Sequence, residues 1–265
     1  MLVRLRPNRE GALSEKIYVI NVGSNASHPF CSPIFTDDSF EFLPIPEDRK
    51  LSVLNGLRYK DLHSHNMPGE DLTRFIPKNY WDITVHNDPE FDTFTYGDNC
   101  EVNPRAMSLR NVQRGDFLFF LSRMELCVRH RRTGNFGFYF IGYLHVESIL
   151  KAVREKPNDS ALVKFGVNAH VRRGMDDDAL WDGFWVFGGS SWSKRFQTTK
   201  SITKEICQEV FLGADGQPWK WDEFRTDLQV IGSYTRTCRC LIDPSTVGGG
   251  KRARFFWDWI ESSTE

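Results

Sequence analysis

Two continuous apolar runs dominate the hydrophobic pattern of the chain: GDFLFFLSRM (Gly115–Met124) and GFYFIGYLHVESI (Gly137–Ile149). Uninterrupted runs of this length, rich in Phe, Tyr and Ile, predict strands buried on both faces. The basic, glycine-containing connection CVRHRRTGNF between them predicts a β-hairpin. Arg114-Gly115-Asp116 supplies the turn chemistry in front of the first run. Upstream, KIYVINVGSNASHP predicts a strand over Ile17–Val22 that ends at Gly23. SFEFLPIPE alternates Phe40, Phe42 and Ile45, and its prolines confine it to an edge or an irregular extended segment. Residues 48–83 show few strong periods and carry the turn signal Met67-Pro68-Gly69.

Downstream of the hairpin the elements shorten. A charged helical or loop piece runs to Asn158 and is followed by ALVKFGVNAHV. GFWVFGGSSWSKRF predicts a strand ending at Gly188-Gly189. ITKEICQEVFLG predicts a short helix closed by Gly213, with Ile202, Ile206 and Val210 on one face. LQVIGSYTRTCRCLI (Leu228–Ile242) predicts a late strand, and RARFFWDWIES a terminal strand or helix. Strands dominate, with small helices between them, so the expected fold is one α+β domain over residues 16–245. An N-terminal extension (1–15) and a C-terminal tail element (246–265) flank it.

Composition adds two points. Aromatic residues make up 14% of the 265 residues, and the net charge is −1. The charge is unevenly spread: the first hundred residues carry 10 basic and 15 acidic side chains, the remainder 24 and 20. Basic clusters in the second part predict either solvated loop tips or a surface that faces a polyanion. The six cysteines form no C-x-x-C pair, and no signal peptide or membrane-spanning run is evident. The expectation is a reduced, cytoplasmic protein with free thiols and no membrane partner. The oligomeric state is not encoded legibly.

Several kinds of chemistry are tested against the residues. Gly23 follows a strand, but G-S-N-A-S holds neither G-x-G-x-x-G nor a P-loop lysine, so it reads as a strand-end turn in which Ser24, Asn25, Ser27 and His28 offer donors. Asp61, His63 and His65 in DLHSHN alternate as metal ligands do, with His86 or Asp88 as distant partners, but no further ligand lies nearby. No metal site is therefore assigned, no cofactor signature is found, and no nucleophile motif such as G-x-S-x-G is present.

Two hydroxyl- and arginine-bearing segments fit anion binding better. GGSSWSKRF sets Ser190, Ser191, Lys194 and Arg195 behind a Gly-Gly turn, and GSYTRTCRC sets Tyr234, Arg236 and Arg239 along a strand. These seven residues are the candidate phosphate contacts. The stretch VHNDPEFDTFTYGDN (Val85–Asn99) holds four acids and three aromatics with no regular period. A pocket for a planar base needs aromatic walls and acceptors for ring or exocyclic N–H groups. Phe91, Phe94 and Tyr96 are the candidate walls, and Asp88 and Asp98 the candidate acceptors.

The combination INVGSNASHP, SFEFLPIPE, DPEFDTFTYGD, GDFLFFLSR…GFYFIGYLHVES and VFGGSSWSKRF resembles the third of the nucleotide-modification-associated domains, over roughly Lys16 to Ile242. Such domains occur in phages and bacteria beside genes for modified bases, which implies a place in DNA modification or defence. The hairpin alone is similar to that of the PUA-like superfamily, whose base-flipping readers (YTH, EVE and SRA domains) are small β-barrels. That likeness implies a strand-dominated PUA-like β-barrel with small flanking helices. No Trp motif matching the YTH aromatic cage is present.

The function expected from residues and resemblance together is a binding module for a modified base in nucleic acid or in a nucleotide, with affinity that falls steeply as salt rises. The alternative is an enzyme that makes or edits a modified nucleotide, using Asp88, Glu90 and Asp98 as acid/base groups or metal ligands with His28 and His86 in support.

Overall fold

The computed structural model describes residues 14–24, 27–48, 51, 56–213, 216–223, 227–228 and 238–262. One eight-stranded sheet organises them. Its centre is the hairpin of β6 (Phe117–Val128) and β7 (Arg131–Val153). Arg129 and His130 at its tip take φ of 50° and 62°, the backbone of a two-residue hairpin turn. The strands therefore run well past the apolar stretches into the basic connection. Charge pairing allows this, because Arg132 binds the Glu125 carboxylate across the hairpin and donates to the Cys31 and Phe75 carbonyls.

β1 (Ile17–Val22) runs parallel to β6, with Ile17 opposite Phe117 and Val22 opposite Ser122. β12 (Cys238–Ile242) pairs antiparallel on its outer side. On the other flank, β8 (Phe184–Gly189) pairs with the second half of β7, and β5 (Thr95–Asp98) pairs with β8 as the edge strand. β2 (Ser32–Ile34) pairs parallel with β6, and β9 (Lys194–Ser201) pairs antiparallel with β7. Two small pairs complete the strands: β3 (Ile45–Pro46) with β4 (Val85–His86), and β10 (Trp221–Asp222) with β11 (Asp227–Leu228).

The fold is α+β and strand-dominated, as the pattern predicts, but the sheet does not close into the expected barrel. Among the described residues its edge strands β5 and β12 share no ladder, and the Tyr96 hydroxyl of β5 lies 3.9 Å from Cys238 Sγ of β12. The Cys238 carbonyl instead accepts from Ser108 Oγ at 2.7 Å, in the 3₁₀ turn Met107–Asn111. That turn covers the β12 edge where a closing strand would sit.

Among the described residues four helices pack around the sheet: α1 (Asp159–Phe165), α2 (Ala169–Asp176), α3 (Lys204–Val210) and α4 (Gly249–Glu261). The stretch open to a strand or helix reading is helix α4. Ala253, Phe256, Trp257 and Ile260 recur at helical spacing and are all buried. Phe256 and Trp257 pack edge-on against Phe119, at 4.8 and 5.4 Å between ring centroids, so the C-terminal element shares the main core. No disulfide joins any of the six cysteines, and no helix among the described residues is long and apolar enough to cross a membrane.

A satellite core of Val153, Phe165, Val171, Trp181, Phe184 and Val186 seats α1 and α2 on β8. Gly174 on α2 is required there, since a Cβ would lie 2.3 Å from Trp181 Cε3. Gly174→Ala is expected to cost about 1–3 kcal/mol through overpacking. The melting temperature should fall by about 2–4 °C for each kcal/mol lost in a chain of this size, which calorimetry would read directly.

Candidate functional site

The open edge of the sheet leaves a cleft of about 520 Å³ between the end of β1 and strand β5. Its lining is polar: His86, Asp88, Asp98, Asn99, Arg105, His170, Arg173 and Asp182 all face it, with Tyr96 as its one aromatic residue among the described residues.

Three elements converge on Asp88. The Gly97 N–H on β5 donates to Asp88 Oδ2 at 2.8 Å. Gly97 also makes room: a Cβ there would stand 2.6 Å from His170 Cδ2 and 2.9 Å from Asn168 Oδ1. Asn168 caps α2 by accepting from the His170 N–H at 3.0 Å, while its amide reaches Thr95 Oγ1 at 3.3 Å and Asp88 Oδ2 at 3.5 Å. That cap turns His170 toward the same carboxylate, with Nε2 3.8 Å from Asp88 Oδ2. His86 leads out of β4 and places its Nε2 4.0 Å from the same oxygen. The two imidazoles stand edge to face, 4.8 Å between centroids. Behind them, His86 Nδ1 lies 2.8 Å from Glu47 Oε2, and Arg173 Nε is 3.6 Å from Glu47 Oε1.

Burial governs the electrostatics. Asp88 is 7% exposed. Its removal from water holds the carboxyl well above the usual carboxylate range, and the Gly97 N–H only partly offsets that. Burial also raises Asp98, against hydrogen bonds from Tyr96 and the Asn99 backbone. His170 is held well below the ordinary imidazole range by burial, with His86 and Arg173 adding to the effect. Asp88 Oδ1, Asn99 Oδ1 and Asp182 Oδ1 are all buried without a hydrogen-bond partner.

The structure divides the sequence candidates. Asp88, Tyr96 and Asp98 line the cleft together. Phe91 and Phe94 pack against the core: Phe91 meets Phe42 and Phe120 edge-on at 5.9 and 5.7 Å. Glu90 braces its own turn, accepting from the Asp92 and Thr93 N–H groups at 2.8 Å each. His28 is not part of the cleft lining.

The five described residues among the predicted phosphate contacts do not line this cleft. Ser190 Oγ lies 2.7 Å from His145 Nδ1, and Ser191 and Lys194 are exposed. Arg195 stacks on Phe40, with its guanidinium carbon 4.4 Å from the ring centroid, and donates to the Phe40 carbonyl; burial lowers its pKa to about 10. Arg239 sits 4.7 Å over the Trp219 ring and lines a neighbouring cleft of about 1120 Å³ that also includes Lys251 and Arg252. Both clefts share Pro104 and Arg105. Tyr234 and Arg236 lie outside the described residues. Asp61, His63 and His65 do not assemble with His86 or Asp88: Asp61 accepts from the Arg58 N–H at 3.3 Å, and the His65 N–H donates to Glu41 at 3.0 Å.

Glu47, Asn168, His170, Arg173 and Asp182 escape a reading of the sequence. His170 lies 82 positions beyond Asp88, and only the packing of α2 on β8 unites them. The one local signal is His86-Asn87-Asp88, two potential ligands two apart.

An open-sheet α+β protein with a His–Asp–His cluster on a polar cleft, its Asp88 and His170 buried, is thus the class that the fold and geometry define. The family profile of nucleotide modification associated domain 3 matches residues 16–231. The chain belongs to this family, and every residue lining the cleft falls inside the match. No curated protein and no solved structure matches the chain.

Gly97→Ala is expected to force His170 and Asn168 away from Asp88 and to lower the melting temperature. Asp88→Asn keeps the acceptor for the Gly97 N–H and removes a buried carboxylate, so its melting temperature should equal or exceed that of the wild type. Circular dichroism melts of the two variants check this opposition.

Proposed function

We propose that the chain is an enzyme of nucleotide modification, which holds the base or sugar of a nucleotide in the β5 cleft and acts on it with the His86–Asp88–His170 cluster. The observation that carries this reading is the character of the cleft. Its floor sets the buried Asp88 and His170 beside the half-buried His86, withdrawn acid and imidazole groups of the kind found in catalytic sites, and among the described residues its aromatic wall is Tyr96. A reader that cages a modified base needs several aromatic faces, and Phe91 and Phe94 are committed to the core instead.

The surrounding groups suit a neutral, donor-rich ligand. Asn99 Oδ1 and Asp182 Oδ1 are acceptors without donors, and ring N–H, exocyclic amine or sugar hydroxyl groups would supply them. Arg105, on the ridge shared with the basic neighbouring cleft, is placed to meet a phosphate. Family membership supports a nucleotide-related ligand in general; the assignment to this cleft and to catalysis is our reading of its chemistry.

Calorimetric titration with nucleoside monophosphates and short single strands tests the reading, together with mass spectrometry of the products. Asp182→Asn should weaken binding by about 10–100-fold, the worth of one hydrogen bond to a charged group at about 1.5–3 kcal/mol. Asp88→Asn should retain binding and lose any mass change in the nucleotide. Equal loss of affinity in both variants, with no product formed by the wild type, would instead identify a reader. Unchanged affinity in Asp182→Asn would sink the cleft as the binding site.

A further inference from the structure

The arrangement of His86, Asp88 and His170 has a feature that proton transfer does not need. Their facing atoms are too far apart to hydrogen-bond with one another: His86 Nε2 and His170 Nε2 stand 4.0 and 3.8 Å from Asp88 Oδ2. One ligand atom from each residue nevertheless falls within 4.8 Å of the others. An ion bound by each at about 2.1 Å would hold neighbouring ligand atoms about 3–3.5 Å apart. Small side-chain rotations close that difference.

Two independent observations aim this cluster at a cation. The first is Glu47. Its carboxylate lies 2.8 Å from His86 Nδ1, and its side chain is 1% exposed. An acceptor there draws the imidazole proton to Nδ1 and leaves the Nε2 lone pair facing Asp88, the carboxylate–histidine arrangement that orients metal-binding imidazoles. The second is the Asp88 carboxylate, whose side chain is 2% exposed: its Oδ2 faces both imidazoles, and its Oδ1 has no hydrogen-bond partner. A buried carboxylate oxygen without a donor is a costly arrangement that a bound cation relieves.

We infer that His86, Asp88 and His170 form a binding site for a first-row transition-metal dication, with Glu47 as the positioning residue behind His86. Two imidazole nitrogens and one carboxylate oxygen suit Zn²⁺ or Fe²⁺ rather than Mg²⁺ or Ca²⁺, which favour oxygen donors. Three protein ligands beside an open cleft leave coordination positions for water or substrate, as in catalytic rather than structural sites. The assignment rests on these contacts and holds whether or not the cleft takes a nucleotide.

The test is stoichiometric metal binding by the full chain. After removal of metal with a chelator, the protein is titrated with Zn²⁺ and Co²⁺ and followed by calorimetry, elemental analysis and visible absorption. One equivalent is expected to bind, with Co²⁺ bands of nitrogen and oxygen ligation and no thiolate charge-transfer band. Stoichiometric binding should vanish in His86→Gln, Asp88→Asn and His170→Gln. Glu47→Gln should keep one equivalent with affinity about 10–100-fold lower, and the exposed His63→Ala should match the wild type.

No stoichiometric binding by the wild type, a thiolate band, or unchanged affinity in the three ligand variants would overturn the site. Should a ligand variant fail to fold, the wild-type Co²⁺ spectrum and the Glu47→Gln affinity still decide. Nucleotide titrations on the metal-free and metal-loaded protein keep the two questions apart. Nucleotide binding without metal binding refutes the ion alone, and metal binding without nucleotide binding refutes the proposed ligand alone.

Discussion

The hydrogen bond from the Gly97 N–H to Asp88 Oδ2 is the contact on which the cleft depends. It ties an edge strand of the sheet to the irregular chain leading out of β4, beside the single Glu90–Thr95 bridge between the same segments. It forms only because position 97 lacks a side chain, since a Cβ would collide with both His170 and Asn168. With that bond in place, Asp88 is drawn under β5, and α2 can lay its first turn against the same carboxylate. Asn168 then serves twice, as the cap of α2 and as a second contact to Asp88.

The unclosed sheet gives this arrangement its opening. In a closed barrel β5 and β12 would exchange backbone hydrogen bonds, and the cleft between β1 and β5 would fill with side chains. Here Ser108 takes the Cys238 carbonyl, and Tyr96 and Asp98 occupy the seam, the tyrosine hydroxyl donating to Asp98 Oδ2 at 3.0 Å. The rigid part of the sheet, from β1 through β8, carries the aromatic core, while its free edge carries the polar groups. A functional cleft gains from that division, because its side chains are positioned by strands and a helix rather than by loops alone.

Much of the fold was legible because burial on both faces writes itself as an apolar run. Phe117–Leu121 and Phe138–Leu144 gave the central hairpin, and Ile17–Val22 gave its parallel neighbour. The reading stopped at the basic connection, where the Arg132–Glu125 pairing that extends both strands has no apolar signature. The site was half legible. Asp88, Tyr96 and Asp98 stood out through an acidic, aromatic stretch without period, and they do line one cleft. Phe91 and Phe94 belonged to the same stretch but serve the core, since composition does not tell which way a side chain turns outside a regular strand. His170 was invisible because α2 reaches Asp88 through tertiary packing. Arg195 follows a related rule: a cation in a Ser-rich segment suggests phosphate, and composition gives no sign that its guanidinium stacks on Phe40.

What sets Asp88 apart is a comparison among buried acids. Glu41 fills both oxygens from Ser64, His65 and Asn66. Asp116 fills both from the Lys16 and Gln113 N–H groups, pinning the turn that launches β6. Glu90 fills both from its own turn. Each of these carboxylates is tied off by donors of the chain and acts as a brace. Asp88 is as deeply buried and is served on one oxygen only, with two imidazoles held just beyond hydrogen-bonding distance. The chain that saturates three buried acids leaves this one open beside a cleft. Departures from local satisfaction of this kind concentrate where a protein meets its ligand. The same contrast separates the braces, tied off within the chain, from Asp88, left open beside the cleft, although all four are acids withdrawn from water.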